Sequence, residues 1–213
     1  MQRPHFAIRL AAIRKLLAFT SLCLLTILAI APTSAAADTS QSTNWRVRLS
    51  EELPLLGHRN WIAIVDSAYP LQVSAGIETV ETDADQLEVV KTVLVELAKA
   101  KHVRPIVFTD AELRLVPEKD AAGVTAYREA LTNLLAQIDL GQIDQGQIGQ
   151  RTTPAQSLPH EQIISQLDEA GKTFHILVLK TRMTIPYTSV FIRLECGYWS
   201  ADAEKRLRAA MAH

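Results

Sequence analysis

Cysteine is nearly absent from this chain, which has only Cys23 and Cys196 among its 213 residues. Cys23 lies in an apolar N-terminal segment, so Cys196 is the one cysteine left for a folded domain. A domain with a single cysteine has no internal disulfide, and its stability must come from packing and from assembly. At 213 residues the chain is long enough for one domain with a buried core.

An excess of positive charge is also lacking, because 22 basic residues face 23 acidic ones and the net charge is −1. Nucleic-acid-binding proteins typically cluster lysine and arginine, so we expect no nucleic-acid partner. With 8 glycines and 9 prolines, the chain has too little of either residue for collagen or for a low-complexity sequence.

Acidic residues are missing altogether from residues 1–37, which carry four of the basic ones. Residues 16–31 are uncharged, and residues 34–37 are small (Ser-Ala-Ala-Ala). A basic start, a short apolar run and a small-residue cleavage site are typical of a secretory signal peptide. We therefore predict a signal peptide over residues 1–37 and a periplasmic or secreted protein. The alternative is an anchor formed by an uncleaved N-terminal segment, although the apolar run is shorter than the ~18–20 residues that span a bilayer.

Without this leader the chain keeps 18 basic and 23 acidic residues, so its net charge becomes −5. After cleavage we expect no contact with the membrane. The polar residues that follow predict a flexible lead-in over residues 38–53, and the remaining residues 54–213 predict one folded domain.

Short apolar runs alternate with amphipathic segments in this domain, which predicts an α/β fold. The run Trp61–Val65 is apolar at every position, as in a strand of a sheet that is covered on both faces. Pro105 predicts that the second strand lies near an edge of the sheet or at a bulge. The predicted strands are 61–65, 103–108, 174–179 and 189–194; the predicted helices begin near Thr82, span 124–138 and 159–170, and follow Ser200.

Familiar cofactor and metal motifs are missing. The sequence has no glycine-rich dinucleotide loop, no phosphate-binding loop and no hydrolase nucleophile elbow. No pair of cysteines or histidines has the spacing of metal ligands. We therefore expect neither a cofactor nor a metal.

His58 is the histidine that stands out, because it lies in a Gly-His pair just before the first predicted strand. Imidazole gains and loses a proton near neutral pH, and loops at the ends of strands often hold functional residues. On these residues alone, a catalytic role and a purely structural capping role are equally compatible with the sequence.

Residues 56–70 resemble the opening signature of the D-ribose pyranase / L-fucose mutarotase family, which has Leu-Gly-His, a strand and Asp-Ala-x-x-Pro. Here residues 56–58 are Leu-Gly-His and residues 66–70 are Asp-Ser-Ala-Tyr-Pro. Residues 186–189 (Pro-Tyr-Thr-Ser) resemble the family's Pro-Tyr-x-Asn, and residues 159–162 (Pro-His-Glu-Gln) resemble its histidine at the start of a late helix. The resemblance implies a single three-layer RbsD-like domain with a mainly parallel sheet flanked by helices.

This family interconverts ring forms or anomers of monosaccharides without a cofactor. The resemblance therefore implies a mutarotase-like isomerase with a monosaccharide partner and with His58 as proton donor and acceptor. The residues that it implies as sugar ligands are Asp66, His160, Tyr187, Thr188 and Ser189. The structural alternatives are that Asp66 caps a turn, that Tyr187 packs in the core and that His160 caps its helix.

His58 and Asp66 are eight residues apart across a predicted strand, which separates them by up to ~26 Å. Both can line one pocket only if the His58 loop folds back or if two subunits share the site. Members of the family form rings with clefts between subunits, so the resemblance implies a homo-oligomer.

Several positions depart from the family pattern. Thr181-Arg182-Met183 replaces a Gly-Glu pair, Ser189 replaces the asparagine, and Ile164 replaces a lysine. The Gln- and Gly-rich residues Gly141–Thr153 form an insert that we predict to be a surface loop. Because much of the sugar-binding set has changed, two alternatives stay open: a non-catalytic oligomeric sugar-binding protein and a structural protein of the same fold.

Overall fold

The computed structural model describes residues 37–139 and 154–212. The predicted signal peptide, apart from its last residue, and the whole of the predicted insert Gly141–Thr153 lie outside the described residues. The described residues from Asp38 onward belong to one compact unit. None of the helices in the described ranges is long and apolar enough to cross a membrane.

Six strands form one sheet in the order β2-β5-β1-β6-β3-β4. The pairs β1–β5, β2–β5 and β3–β4 are parallel, whereas β6 is antiparallel to both β1 and β3. Five strands therefore share one direction, which confirms the predicted α/β domain with a mainly parallel sheet. The strands are β1 Trp61–Val65, β2 Ile77–Glu81, β3 Val103–Asp110, β4 Gln156–Leu158, β5 Ile176–Lys180 and β6 Val190–Cys196.

Helices cover both faces of this sheet. Three of them pack on one face, where they bury side chains such as Trp45, Val90 and Tyr127, and one packs on the other face through Ile163 and Leu167. The predicted three-layer arrangement is thus confirmed. The helices are α1 Ala37–Glu52, α2 Gln86–Lys99, α3 Val124–Asp139, α4 His160–Ala170 and α5 Ala201–Met211, with a 3-10 helix at Ala111–Leu115 after β3.

Strand β1 lies at the centre of the core, and all five of its residues are buried. Ile62 and Ile64 join the cluster under α1, α2 and α3, whereas Trp61, Ala63 and Val65 join the cluster under α4. This alternation explains why the run is apolar at every position, because both faces of the strand lose contact with water.

Residues 38–52 are helical, which corrects the predicted flexible lead-in over residues 38–53. Trp45 and Leu49 are four residues apart and buried, so one side of α1 faces the core. On α1, Arg48 contacts both carboxylate oxygens of Glu78 in β2 at 2.6 Å. The packing of α1 against the sheet thus overrides a sequence that is too polar to predict a helix.

Pro105 lies near an edge of the sheet, as predicted. The edge strand β4 pairs only with residues 108–110 of β3, so the part of β3 that holds Pro105 has β6 on one side and no described strand on the other. A proline is tolerated there because one side of the strand needs no backbone donor.

Candidate functional site

Polar side chains converge at the carboxyl edge of the sheet, where the five codirectional strands end. Asp66 follows β1, Asp110 is the last residue of β3, and Thr181 follows β5. Because β6 runs the opposite way, it begins at this same edge, directly after Ser189. The carboxyl edge of a parallel sheet is where α/β proteins commonly bind ligands.

Asp110 and His160 form a close pair at this edge. The Nδ1 atom of His160 lies 3.0 Å from Oδ1 of Asp110, whose side chain has no exposed surface. The backbone N–H of His160 donates to both carboxylate oxygens of Glu112, at 3.1 and 3.0 Å. His160 is therefore held through its ring by β3 and through its backbone by the 3-10 helix that follows β3, and Glu112 rather than the imidazole satisfies the start of α4.

Burial raises the pKa of the Asp110 carboxyl above its ordinary value. The hydrogen bond to His160 and the charge of its imidazole lower this pKa, whereas the nearby charges of Glu112 and Asp66 add to the increase. The second oxygen, Oδ2, is buried without a hydrogen-bond partner among the described residues. This carboxyl is thus desolvated and bound by hydrogen bonds on one oxygen only.

Tyr187 lies edge-on to the imidazole of His160, with ring centroids 5.7 Å apart and an interplanar angle of 83°. Its side chain is partly exposed, so it does not pack in the core. Its φ of 58° falls in the left-handed region, which costs a residue with a side chain about 1–2 kcal/mol. The neighbouring contacts must therefore hold Tyr187 in this conformation.

Thr188, which the resemblance implies as a sugar ligand, supplies these contacts. The side chain of Thr188 is fully buried, and its hydroxyl donates to the carbonyl of Ile185 at 2.8 Å. Its carbonyl accepts from the hydroxyl of Tyr127 at 2.9 Å and from the amide of Gln86. Ser189 is also buried, being only 2 % exposed. The side chains of both residues are therefore buried in this chain.

Asp66 takes the turn-capping role that the sequence left as an alternative. Its Oδ1 accepts from the backbone N–H of Ala68 at 2.8 Å. The residue is only partly buried, and its charge is among those that raise the pKa of Asp110. Asp66 therefore belongs to the same cluster as Asp110 and His160 while it also shapes the turn after β1.

His58 lies at the opposite edge of the sheet. Its Nδ1 is 3.0 Å from Oε2 of Glu195 at the end of β6, and about half of its side chain is exposed. Glu195 in turn lies 3.1 Å from Nε of Arg193. Within one chain the structure therefore brings together Asp66, His160 and Tyr187 but not His58.

Of three positions that depart from the family pattern, one is exposed and two pack against the core. Arg182 is largely exposed and lies 3.6 Å from Asp83. Met183 and Ile164 are partly buried against the two core clusters. None of these three side chains adds a hydrogen-bonding group beside His160 in the described structure.

One group of potential metal ligands occurs in the described part of the chain, formed by Glu52, Glu78 and His175. Arg48 already bridges its carboxylates, at 2.7 Å from Glu52 and 2.6 Å from Glu78. The guanidinium of Arg48 already supplies a positive charge to these carboxylates, so the group is an ion-pair network between α1 and β2. Its residues therefore do not fit a metal cation as well.

Sequence reasoning missed Asp110 and Glu112. Asp110 could have been found from its position, because it ends an apolar run just as Asp66 does. The predicted strand stopped at Phe108, two residues before the end of β3, and left Asp110 in a loop. Glu112 carries no sequence signal, because it meets His160 only through a backbone contact between distant segments.

Neither a known family model nor a curated protein sequence matches the chain. Among solved structures, the fold is similar to Bacillus subtilis RbsD complexed with D-ribose, at 18% identity and a TM-score of 0.44 over 72% of this chain and 93% of that one. It is also similar to the fucose mutarotase of Streptococcus pneumoniae in complex with L-fucose, at 14% identity and a TM-score of 0.42 over 68% of this chain and 89% of that one. FucU from Bifidobacterium longum matches at 14% identity and a TM-score of 0.45 over 69% of this chain and 92% of that one.

These proteins are of the RbsD/FucU type. Residues 56–70 of this chain resemble the sequence signature of that type. At such identities and TM-scores, the similarity transfers neither a ligand nor an activity to this chain. Any function must therefore be argued from the residues at the two edges of the sheet.

Proposed function

We propose that this protein is an exported isomerase that interconverts the ring forms or anomers of a monosaccharide. In this proposal Asp66, His160 and Tyr187 of one chain bind the sugar, and His58 of a second copy transfers protons. No cofactor takes part.

The observation that carries the proposal is the convergence of Asp66, His160 and Tyr187 at one edge of the sheet, although they come from segments far apart in sequence. A carboxylate, an imidazole and a phenol offer both acceptors and donors of hydrogen bonds, as sugar hydroxyls require. An aromatic ring beside such groups also provides an apolar surface for the C–H side of a sugar ring.

His58 suits proton transfer because its Nδ1 is occupied by Glu195 and its imidazole is about half exposed. A carboxylate on one nitrogen favours a proton there and leaves Nε2 to exchange a proton with a ligand. When a sugar ring opens, the C1–O bond to the ring oxygen breaks, the ring oxygen gains a proton and the anomeric hydroxyl loses one. Reclosure reverses both transfers, so no net proton or electron is consumed.

A second copy is required because His58 and Asp66 lie at opposite ends of β1, whose five residues alone span about 16 Å. If the His58 edge of one chain faces the carboxyl edge of the next, the two sets of residues meet in one cleft. Repetition of such a head-to-tail contact forms a ring when the rotation between neighbouring chains closes.

The export proposal rests on residues 1–37, whose basic start, apolar run and small-residue end are those of a signal peptide. Mass spectrometry of the protein recovered from its native host tests it. A chain that begins at Asp38 supports cleavage, and a chain that retains the leader favours an uncleaved anchor.

Anomer exchange measured by proton saturation transfer tests the activity on a panel of monosaccharides that includes D-ribose and L-fucose. We expect accelerated exchange for at least one sugar and its loss in His58→Ala, with unchanged exchange in Lys172→Ala, which alters an exposed side chain. Accelerated exchange that survives His58→Ala contradicts the role of His58.

The second candidate function is a sugar-binding protein without turnover. Met183 and Ile164 favour it, because these apolar side chains stand where the family has hydrogen-bonding ones. A sugar that raises the melting temperature while no sugar shows accelerated exchange supports this candidate. If no sugar does either and the oligomer survives every site substitution, a structural role remains.

A further inference from the structure

We propose that His160 is a second proton-transfer group of the site and that Asp110 is the positioning residue that orients it. The pair deepens the proposed function, on which its catalytic part rests. The sequence assigned His160 only a binding role and gave Asp110 none.

The side chain of Asp110 has no evident role in building the fold. Its side chain is fully buried, and its one hydrogen-bond partner among the described residues is the imidazole of His160. A buried carboxylate with a single partner costs more in desolvation than it gains in stability. Such an arrangement is typical of functional sites, where a buried acid orients a histidine.

His160 has one ring nitrogen, Nε2, that can meet a ligand. Nδ1 is occupied by Asp110, and the backbone N–H is occupied by Glu112. The ring is therefore held at Nδ1 while the backbone of the residue is held by Glu112, and Nε2 is the ring nitrogen that no other described residue engages. About 29% of the side chain is exposed, so a ligand can reach the ring.

The chemistry of ring opening also calls for a second proton-transfer group. Ring opening needs one group that gives a proton to the ring oxygen and another that takes a proton from the anomeric hydroxyl. In the described part of the chain, two imidazoles each lie 3.0 Å from a carboxylate, His58 with Glu195 and His160 with Asp110. With His58 protonated and His160 neutral, one donates as the other accepts. Reclosure through the same two groups restores both.

The surroundings of Asp110 decide the pH range in which the pair can work. The groups that face it are the imidazole of His160 on α4, the carboxylates of Glu112 and Asp66, and more distantly the phenols of Tyr69 and Tyr127. Apart from His160 these are acids, so Asp110 has only the imidazole to balance its charge. The pair is expected to fail once Asp110 itself is protonated at acid pH.

The experiment reads the tautomer of His160 at pH 7.5 from long-range proton–nitrogen spectra of ¹⁵N-histidine-labelled protein. We expect the wild-type ring to carry its neutral-state proton on Nδ1, and Asp110→Asn to populate both tautomers. Glu112→Gln is the matched control, because Glu112 meets only the backbone of His160 and should leave the tautomer unchanged. A wild-type ring with its proton on Nε2 overturns the proposal without need of any variant.

The kinetic arm uses the sugar that shows accelerated exchange. We expect Asp110→Asn to lower kcat by about 100-fold or more with little change in KM, and His160→Gln to lower kcat at least as much. The double variant should lose no more kcat than His160→Gln alone. If the loss of kcat in the double variant equals the product of the losses in the two single variants, the positioning role of Asp110 is wrong. Because the tautomer is measured without sugar, failure of the whole sugar panel counts against the proposed function and leaves the Asp110–His160 pair to be decided by the spectra.

Discussion

His58 and Asp66 lie at opposite ends of the same strand, with His58 three residues before β1 begins and Asp66 directly after it ends. His58 forms a pair with the carboxylate of Glu195, whereas Asp66 accepts a hydrogen bond from the backbone N–H of Ala68 in the turn after β1. The loop that holds His58 does not fold back to the carboxyl edge. The two residues can therefore share a ligand only across a contact between two chains.

Helix α1 is predicted to be an integral part of the core. Leu49→Ala should lower the free energy of unfolding by about 2–5 kcal/mol, because Leu49 is fully buried beneath the helix. Val47→Ala on the exposed side of α1 should change it by less than about 0.5 kcal/mol. Urea denaturation of both variants checks this, and equal effects would mean that residues 38–52 do not pack on the sheet.

Tyr127 is predicted to hold the loop that carries Tyr187. Tyr127→Phe removes one of the donors to the Thr188 carbonyl and should cost about 1 kcal/mol of stability. Because Tyr187 is held at a φ of 58°, loosening the loop should also weaken sugar binding. Tyr198→Phe, at an exposed tyrosine, is the control. Unfolding and titration calorimetry measure the two effects, and wild-type behaviour of Tyr127→Phe contradicts the role of the loop.

The buried carboxylate of Asp110 is predicted to lower the stability of the folded protein at neutral pH. Since its pKa is raised in the folded protein, the stability that it contributes is present below its ordinary pKa and is lost as the pH rises through the raised value. Asp110→Asn has no such dependence, so its stability relative to the wild type should increase from pH 3 to pH 7. Denaturation across this range is the measurement, and a relative stability that falls with pH contradicts the burial argument.

Arg48 should show the opposite dependence on pH. Its guanidinium lowers the pKa of Glu78, so the pair stabilises the fold above the ordinary pKa of 4.5 and ceases to do so as the pH falls through the lowered value. Arg48→Met should therefore be less stable than the wild type at pH 7 and converge with it at acid pH. Lys172→Met, which breaks the exposed pair with Glu169, should differ little at any pH. A constant deficit for Arg48→Met would assign the effect to packing instead.

The apolar runs of the sequence predicted the central strands well. Runs that are apolar at every position, such as Trp61–Val65, are typical of strands in a sheet covered on both faces, and β1 is such a strand. The cap at Ser200 was also predictable, because a serine side chain satisfies a free N–H wherever a helix begins; here it accepts from Ala203.

Elements stabilised by distant partners could not be predicted in the same way. Strand β2 (Ile-Glu-Thr-Val-Glu) has no clear apolar pattern, and its Glu78 forms an ion pair with Arg48 from the distant helix α1. Likewise the side chain of Asp110 is paired with His160, which is fifty residues away along the chain. Local sequence patterns contain no information about which charges will meet.

The central claim is that one site combines His58 of one chain with Asp66, His160 and Tyr187 of another. Co-expression of His58→Ala and His160→Gln chains under two different affinity tags, followed by tandem purification, yields mixed oligomers. Each variant alone should be inactive, yet random mixing in a ring leaves about one quarter of the sites with both histidines intact. Saturation-transfer exchange near one quarter of the wild-type rate is the result we predict, and mixed oligomers that stay inactive would contradict a site shared between chains.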